Sequence, residues 1–314
     1  MDRRTEGLLT GVHGDDTVMR LLTVRHVTTY RYSEPVGLGE HRMMFRPRES
    51  HDLRLVKTRL DIRPRPAALR WLHDVFDNSV AIATFDGMTA ELCFDSTVTL
   101  EHRETAAPDY ALAVDAQIYP FQYPDDERPD LVGALTRQYP GDGVDRWAAR
   151  FLSSSGPTGT MQLLHSMTLA IRDEFEYVRR REKGVQSPAE TLQRGSGSCR
   201  DFAVLMMDAV RSLGLAARFV SGYIFVPADS AETAGGSATH GWMQVYLPGA
   251  GWVDFDPTNS IVGNRNLIRV AVAWDPRQAL PLWGSFIGPA SSFREMEVDV
   301  SVTEASPDSL LEGF

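Results

Sequence analysis

The chain has 314 residues, 43% of them hydrophobic and 24% charged, and a formal net charge of −10. That composition is globular and excludes collagen-like, low-complexity and wholly disordered chains, while an acidic chain without a basic run argues against nucleic acid or an anionic membrane surface as partner. Two cysteines, Cys93 and Cys199, are too few for a disulfide scaffold or an all-cysteine metal centre, and no apolar run reaches the ~18 residues needed to span a bilayer. Residues 1–20 are charged and turn-rich, lack the apolar stretch of a signal peptide, and read as a loose extension of a cytoplasmic protein.

From residue 21 to about residue 102 the pattern is strand-like. Leu22, Val24, His26, Thr28 and Tyr30 alternate with Thr23, Arg25, Val27 and Thr29, and the same period of two recurs over 53–63 and 89–100. Glu34-Pro35, Pro64-Arg65-Pro66, Asp77-Asn78 and Asp86-Gly87 divide the runs. Short strands at this spacing predict an antiparallel sandwich or barrel over residues 21–105, with Cys93 as a small apolar strand residue. Residues 106–157 form a connecting region punctuated by prolines and closed by Ser153-Ser154-Ser155-Gly156-Pro157. A helix is predicted over 161–181, where Leu163, Leu164, Met167, Ile171, Phe175 and Val178 make one apolar stripe. A second is predicted over 199–213, ended by Gly214. Strands return at 217–225, 241–247, 252–256, 267–273 and 294–302, with a polar loop over 227–239 that is either a lid or plain surface. The whole is an α+β unit over 158–304 that includes its C-terminal strand, followed by a tail over 305–314.

Cys199 opens the second helix. The run Arg194-Gly195-Ser196-Gly197-Ser198 before it is small and flexible, Ser198 is a natural N-cap, and Asp201 completes a Ser-x-x-Asp capping signature. Unpaired N–H groups and the helix dipole at that position favour the thiolate, the reactive form of cysteine, and the same N–H groups can hold an oxyanion. An inert buried cysteine would sit on the apolar stripe instead of in a Gly/Ser elbow.

A thiolate nucleophile needs a base. His13 lies in the extension, His26, His41, His51, His73 and His102 in the β-rich half, and His165 beside the stripe of the first helix. His240 differs. It stands at the mouth of a strand whose turn, Pro248-Gly249-Ala250-Gly251, sends the chain back through Trp252-Val253-Asp254-Phe255-Asp256-Pro257. Both His240 and Asp256 therefore fall toward the open end of a hairpin, where a carboxylate can orient the imidazole. Asp254 points to the same face nearer the turn and is the weaker candidate. Trp242 reads as core and Asp201 as a cap, with Arg46 and Arg48 as solvated residues.

The segments Ser198-Cys199-Arg200-Asp201-Phe202-Ala203, Gly214 to Tyr223, His240-Gly241-Trp242 and Gly251 to Asn259, in that order and spacing, resemble the transglutaminase-like superfamily. Residues 21–102, with His26, Tyr30, Tyr32, Pro35 and Arg46-Pro47-Arg48, resemble the N-terminal domain of its bacterial members. The sequence departs from that pattern at Ser198, where an apolar residue is common, and at Gly241, where alanine is more usual. The resemblance implies a papain-like core, a cysteine-bearing helix packed on an antiparallel sheet, with catalytic Cys199, His240 and Asp256. It implies an amide-bond enzyme working through a thioester on a peptide or protein substrate, without cofactor or metal. The alternatives are a binding or assembly module that keeps an idle triad, and an acyltransferase that takes a thioester donor.

Overall fold

The structure, a computed structural model, describes residues 17–105, 110–179, 184–227, 234 and 238–305. Five strands come first: β1 (Thr17–Met43), β2 (Leu53–Arg63), β3 (Ala68–His73), β4 (Ser79–Thr84) and β5 (Met88–Thr105). They lie antiparallel in the order β2-β5-β1-β4-β3. The predicted sandwich or barrel is thus a single sheet, curled around the long β1 as a half-barrel. Two of the expected boundaries move, and one residue's environment differs. Residues 17–20 belong to β1 and not to a loose extension, since they pair with 102–105; residues 1–16 lie outside the described residues. Glu34-Pro35 does not end the strand. Its pairing with β5 breaks after Arg31 and resumes at Val36, so proline sits at an irregularity where no ladder N–H is required. Arg48 is not solvated: its N–H donates to the carbonyl of Arg269, and its guanidinium to the Phe76 carbonyl and to Asn78 at 3.1 Å.

The second half carries helices α1 (Asp142–Ala149), α2 (Thr160–Glu174), α3 (Pro188–Arg194) and α4 (Cys199–Ser212). Its sheet is built from β6 (Ala217–Ile224), β7 (His240–Leu247), β8 (Gly251–Asp256), β9 (Ile261–Val262) and β10 (Leu267–Ala273), all antiparallel in the order β9-β8-β7-β6-β10. Helix α4 is the centre of the core. Phe202, Leu205, Met206, Ala209 and Val210 bury against Leu163, Met167 and Ile171 of α2 and against Phe219, Met243 and Phe255 of the sheet. The helix is buried on nearly every side, polar residues included. Even its buried ions are paired: Asp208 takes Arg137 at 2.8 Å, and Arg211 donates to the carbonyls of Ala134, Ala217 and Trp274.

Helix α2 stops at Glu174, seven residues before the predicted end. Phe175 turns extended, and Glu176–Tyr177 pairs in parallel with Ser196–Gly197. The apolar stripe continues through Phe175, but this strand pairing, which the local pattern does not contain, ends the helix. The C-terminal strand also departs from expectation. Strands β11 (Leu282–Ile287) and β12 (Phe293–Glu304) leave the second half and pair with β1, Leu22 opposite Glu304 through Tyr32 opposite Phe293. Residues 306–314 lie outside the described residues.

The two halves share an apolar seam in which Leu22, Val24, Val98 and Leu100 meet Tyr223, Phe225, Ile268 and Val270. Polar pins cross it. His26 Nδ1 is 2.9 Å from the Tyr223 hydroxyl. The fully buried Asn78 side chain pairs with both backbone groups of Val272 on the edge strand β10, and Arg269 reaches Asp52 at 2.7 Å. Buried polar groups are tolerated because each is bonded. The seam therefore sets the two halves in one orientation.

Candidate active site

The elbow before α4 brings backbone to backbone. Tyr177 lies opposite Gly197, Val178 N–H donates to the Gly197 carbonyl at 2.9 Å, and a Cβ on Gly197 would meet Asp201 at 2.9 Å. Asp201 closes the turn, accepting from both the N–H and the hydroxyl of Ser198 at 2.8 Å. Its other oxygen accepts the N–H of Gln186 at 2.7 Å, so it is the structural residue the capping pattern implied. Cys199 follows as the first helical residue, buried, with its N–H ahead of the first intrahelical bond from Phe202 to Ser198.

His240 and Asp256 are brought in by the β7–β8 hairpin. Gln244 stands opposite Asp254 in the ladder, so His240, Trp242 and Gln244 share a face with Asp254 and Asp256. The outcome for the two carboxylates is distinct. Asp256 accepts the Nε2–H of His240 at 2.8 Å, with both side chains wholly buried. It is itself held by the Thr258 N–H at 2.9 Å and the Asn259 amide at 2.8 Å. Asp254 bonds Trp242 at 2.6 Å, Gln244 at 2.8 Å and Arg269 at 3.3 Å. It has no bond to the imidazole.

The other ring nitrogen of His240, Nδ1, is buried without a hydrogen bond, and the Cys199 thiol is the partner its charge feels. Burial pushes the thiol up, but the imidazole beside it, the Arg200 charge and the Gly241 N–H outweigh burial and hold it below its usual value. Burial likewise pulls His240 down, and the Asp256 carboxylate and the thiol reverse this to a raised value. Asp256 is pushed up by burial and brought below its ordinary range by His240, Asn259 and Thr258. All three directions favour a thiolate–imidazolium pair over a thiol beside a neutral ring.

Several neighbours escaped sequence reasoning. Trp242, read as core, is fully buried but also stacks on His240, with ring centroids 5.8 Å apart. Room for its indole comes from Gly222, where a Cβ would lie 2.7 Å from the ring. Asn259 follows Asp256 closely in the Asp-Pro-Thr-Asn run, which was the available signal; it also accepts the N–H of Ala234 at 2.9 Å. The remainder of the 227–239 loop is largely outside the described residues. Tyr177, paired opposite Gly197, has no motif to mark it, and Arg200 lies within the cysteine motif with no role assigned to it there. His165 is exposed on α2, and Cys93 is buried in β5, as expected of each.

The family model for the bacterial transglutaminase-like N-terminal region matches residues 22–101, and that for the transglutaminase-like superfamily matches residues 146–257. Uncharacterized proteins of Mycobacterium tuberculosis and Mycobacterium bovis are each 29% identical over 304 residues, covering 91% of this chain and 94% of their own. The crystal structure of a candidate cysteine protease from Cytophaga hutchinsonii has the same fold, with a TM-score of 0.66 at 17% identity over 92% of this chain and 94% of that one. Matched by these two models over more than half of its length, the chain belongs to the transglutaminase-like superfamily.

Proposed function

We propose that the protein is a cysteine-dependent amide-bond enzyme in which Cys199 is the nucleophile, His240 the base and Asp256 the group that orients it. The observation that carries this reading is the wholly buried His240–Asp256 pair, 2.8 Å apart, beside the first residue of α4. Proton transfer from Sγ to Nδ1 leaves a thiolate that attacks the carbonyl carbon of a peptide or carboxamide, while the Cys199 N–H supports the oxyanion. The C–N bond breaks, the imidazolium proton goes to the leaving amine, and a thioester remains. Water, deprotonated by His240, then releases the acid and restores the thiol. We take this hydrolytic outcome, protease or amidase, because water requires no second binding site; an amine in its place makes the protein a transamidase. Peptide or protein amides are the substrate class, in keeping with the candidate protease of the same fold. We place the protein in the cytoplasm, where a reducing compartment keeps a nucleophilic cysteine a thiol. No helix among the described residues is long and apolar enough to cross a membrane.

The test is the rate of iodoacetamide alkylation against pH for wild type and His240→Ala, read by peptide mass so that Cys93 is scored apart. Fast labelling of Cys199 well below pH ~8, lost in the variant, is expected. A profile with an ordinary thiol midpoint near ~8.5, indifferent to His240, overturns the reading and leaves a binding module with an idle triad.

A further inference from the structure

Two side chains beside the thiol take no part in the bond-making steps above, although the Arg200 charge helps to hold the thiol below its usual value. Arg200 directly follows Cys199, and its stem lies across the hairpin, with Cγ 3.1 Å from where a Gly241 Cβ would stand. It is only partly buried and has no ion pair or hydrogen bond among the described residues, although Arg25, Arg31, Arg137, Arg150 and Arg269 all pair with acids. On the other side, the parallel pairing of Glu176–Tyr177 with Ser196–Gly197 fixes Tyr177 alongside the elbow, half exposed, and carries Arg179 to the same rim. The charges of Arg200, Arg179 and Cys199 all act on the Tyr177 phenol. Burial and the thiolate hold that phenol above its ordinary value, which keeps it a neutral O–H donor. The acid whose charge acts there, Asp256, is occupied by His240 and Asn259.

We infer that Arg200, with the Tyr177 hydroxyl and the Arg179 charge, forms a carboxylate-binding subsite beside Cys199, so that the enzyme selects amides bearing a carboxylate next to the scissile carbonyl. The inference rests on the amide-bond reading and names its substrate class. A guanidinium matches a carboxylate in shape and charge, and a cationic rim on a protein of net charge −10 gathers anions at the one place they are used.

The experiment compares alkylation of Cys199 by iodoacetate, which carries a carboxylate, and by neutral iodoacetamide, with the uncharged thiol N-acetylcysteine amide as the free-thiol reference. The iodoacetate-to-iodoacetamide rate ratio is expected to exceed the reference, to fall as salt rises, to drop about tenfold in Arg200→Gln and to be largely kept in Arg200→Lys. Taking a ratio cancels any effect of Arg200 on the thiol itself. Tyr177→Phe, which keeps the ring, is the second variant and is expected to lower the ratio by a smaller factor. A ratio equal to the reference, or unmoved in Arg200→Gln, overturns the subsite while His240-dependent iodoacetamide labelling leaves the enzyme reading standing. If iodoacetamide labelling is indifferent to His240, both fall. Chloroacetyl dipeptides with either a free C-terminus or a glutamate side chain and amidated end, each against its neutral counterpart, tell a terminal carboxylate from an acidic side chain. Preference for neither counts against the subsite.

Discussion

The indole N–H of Trp242 donates to Asp254 at 2.6 Å while the face of the same ring stacks on His240. Asp254 therefore supports the imidazole through an aromatic ring, and Asp256 supports it through a hydrogen bond. Asp254 in turn is tied by Arg269 to Asp52, which lies at the entrance to β2. The site is thus braced from the N-terminal half of the molecule.

The two carboxylates separate under mutation. Asp256→Asn removes the acceptor that fixes the ring and its tautomer, and the alkylation rate of Cys199 at neutral pH is expected to fall roughly a hundredfold. Asp254→Asn leaves the Arg269 charge buried with one fewer partner and is expected to cost on the order of 3 kcal/mol of stability with a much smaller loss of thiol reactivity. Alkylation rates and denaturant unfolding of both variants check this; equal effects on the two readouts would remove the distinction.

Gly222→Ala is expected to be severe. The new Cβ would stand 2.1 Å from the Ile268 carbonyl oxygen and 2.7 Å from Trp242, and a β-sheet backbone cannot yield that far. A loss on the order of 3 kcal/mol, with slower labelling of Cys199 as Trp242 shifts against His240, is the predicted result. Gly241→Ala is mild by comparison. Its Cβ meets Phe219 at 3.0 Å and the flexible stem of Arg200 at 3.1 Å, so about 1 kcal/mol is expected from thermal unfolding of the two variants side by side.

His26 gives the seam between the halves a pH dependence. Both ring nitrogens are bonded, to Tyr223 and to Thr28, and burial pulls its pKa from 6.5 down to about 4. Between those values the unfolded chain binds a proton that the folded chain refuses, so stability is lost as pH falls through that window. At full extent the loss is on the order of 3 kcal/mol. In unfolding measured from pH ~7 to ~4, His26→Gln is expected to show a shallower decline than wild type; parallel curves would assign the acid sensitivity to other groups.

Tyr223→Phe tests the same pin from its other end. It leaves His26 Nδ1 buried without a partner and is expected to destabilise by about 1–3 kcal/mol, with Cys199 alkylation unchanged. Loss of labelling at full foldedness would show that the seam reaches the site.

Much of this molecule is written in short-range pattern. The alternation over 53–63 names β2 residue for residue, and the Gly/Ser elbow with its Ser-x-x-Asp signature places Cys199 at the first position of α4. The glycine-rich turn after Leu247 puts His240 and Asp256 at one end of a hairpin. Those features are local, so propensity, capping and period suffice. Where partners are remote, the pattern is silent: the apolar stripe of α2 runs on through Phe175, yet the helix ends because residues 176–177 pair with 196–197.

The sequence by itself determined an α+β chain with a β-rich first half, a nucleophile at a helix start and a histidine and carboxylates on one hairpin face. Only the tertiary structure decided which carboxylate meets the imidazole. Alternation puts Asp254 and Asp256 on the same face and cannot choose between them; Trp242, Gln244 and Arg269 choose, by claiming Asp254. It also decided that β12 returns to β1 across almost the whole chain, and that Tyr177 is paired alongside the elbow that carries Cys199. Contacts so far apart in sequence are made by burial of shared surface, which no local period records.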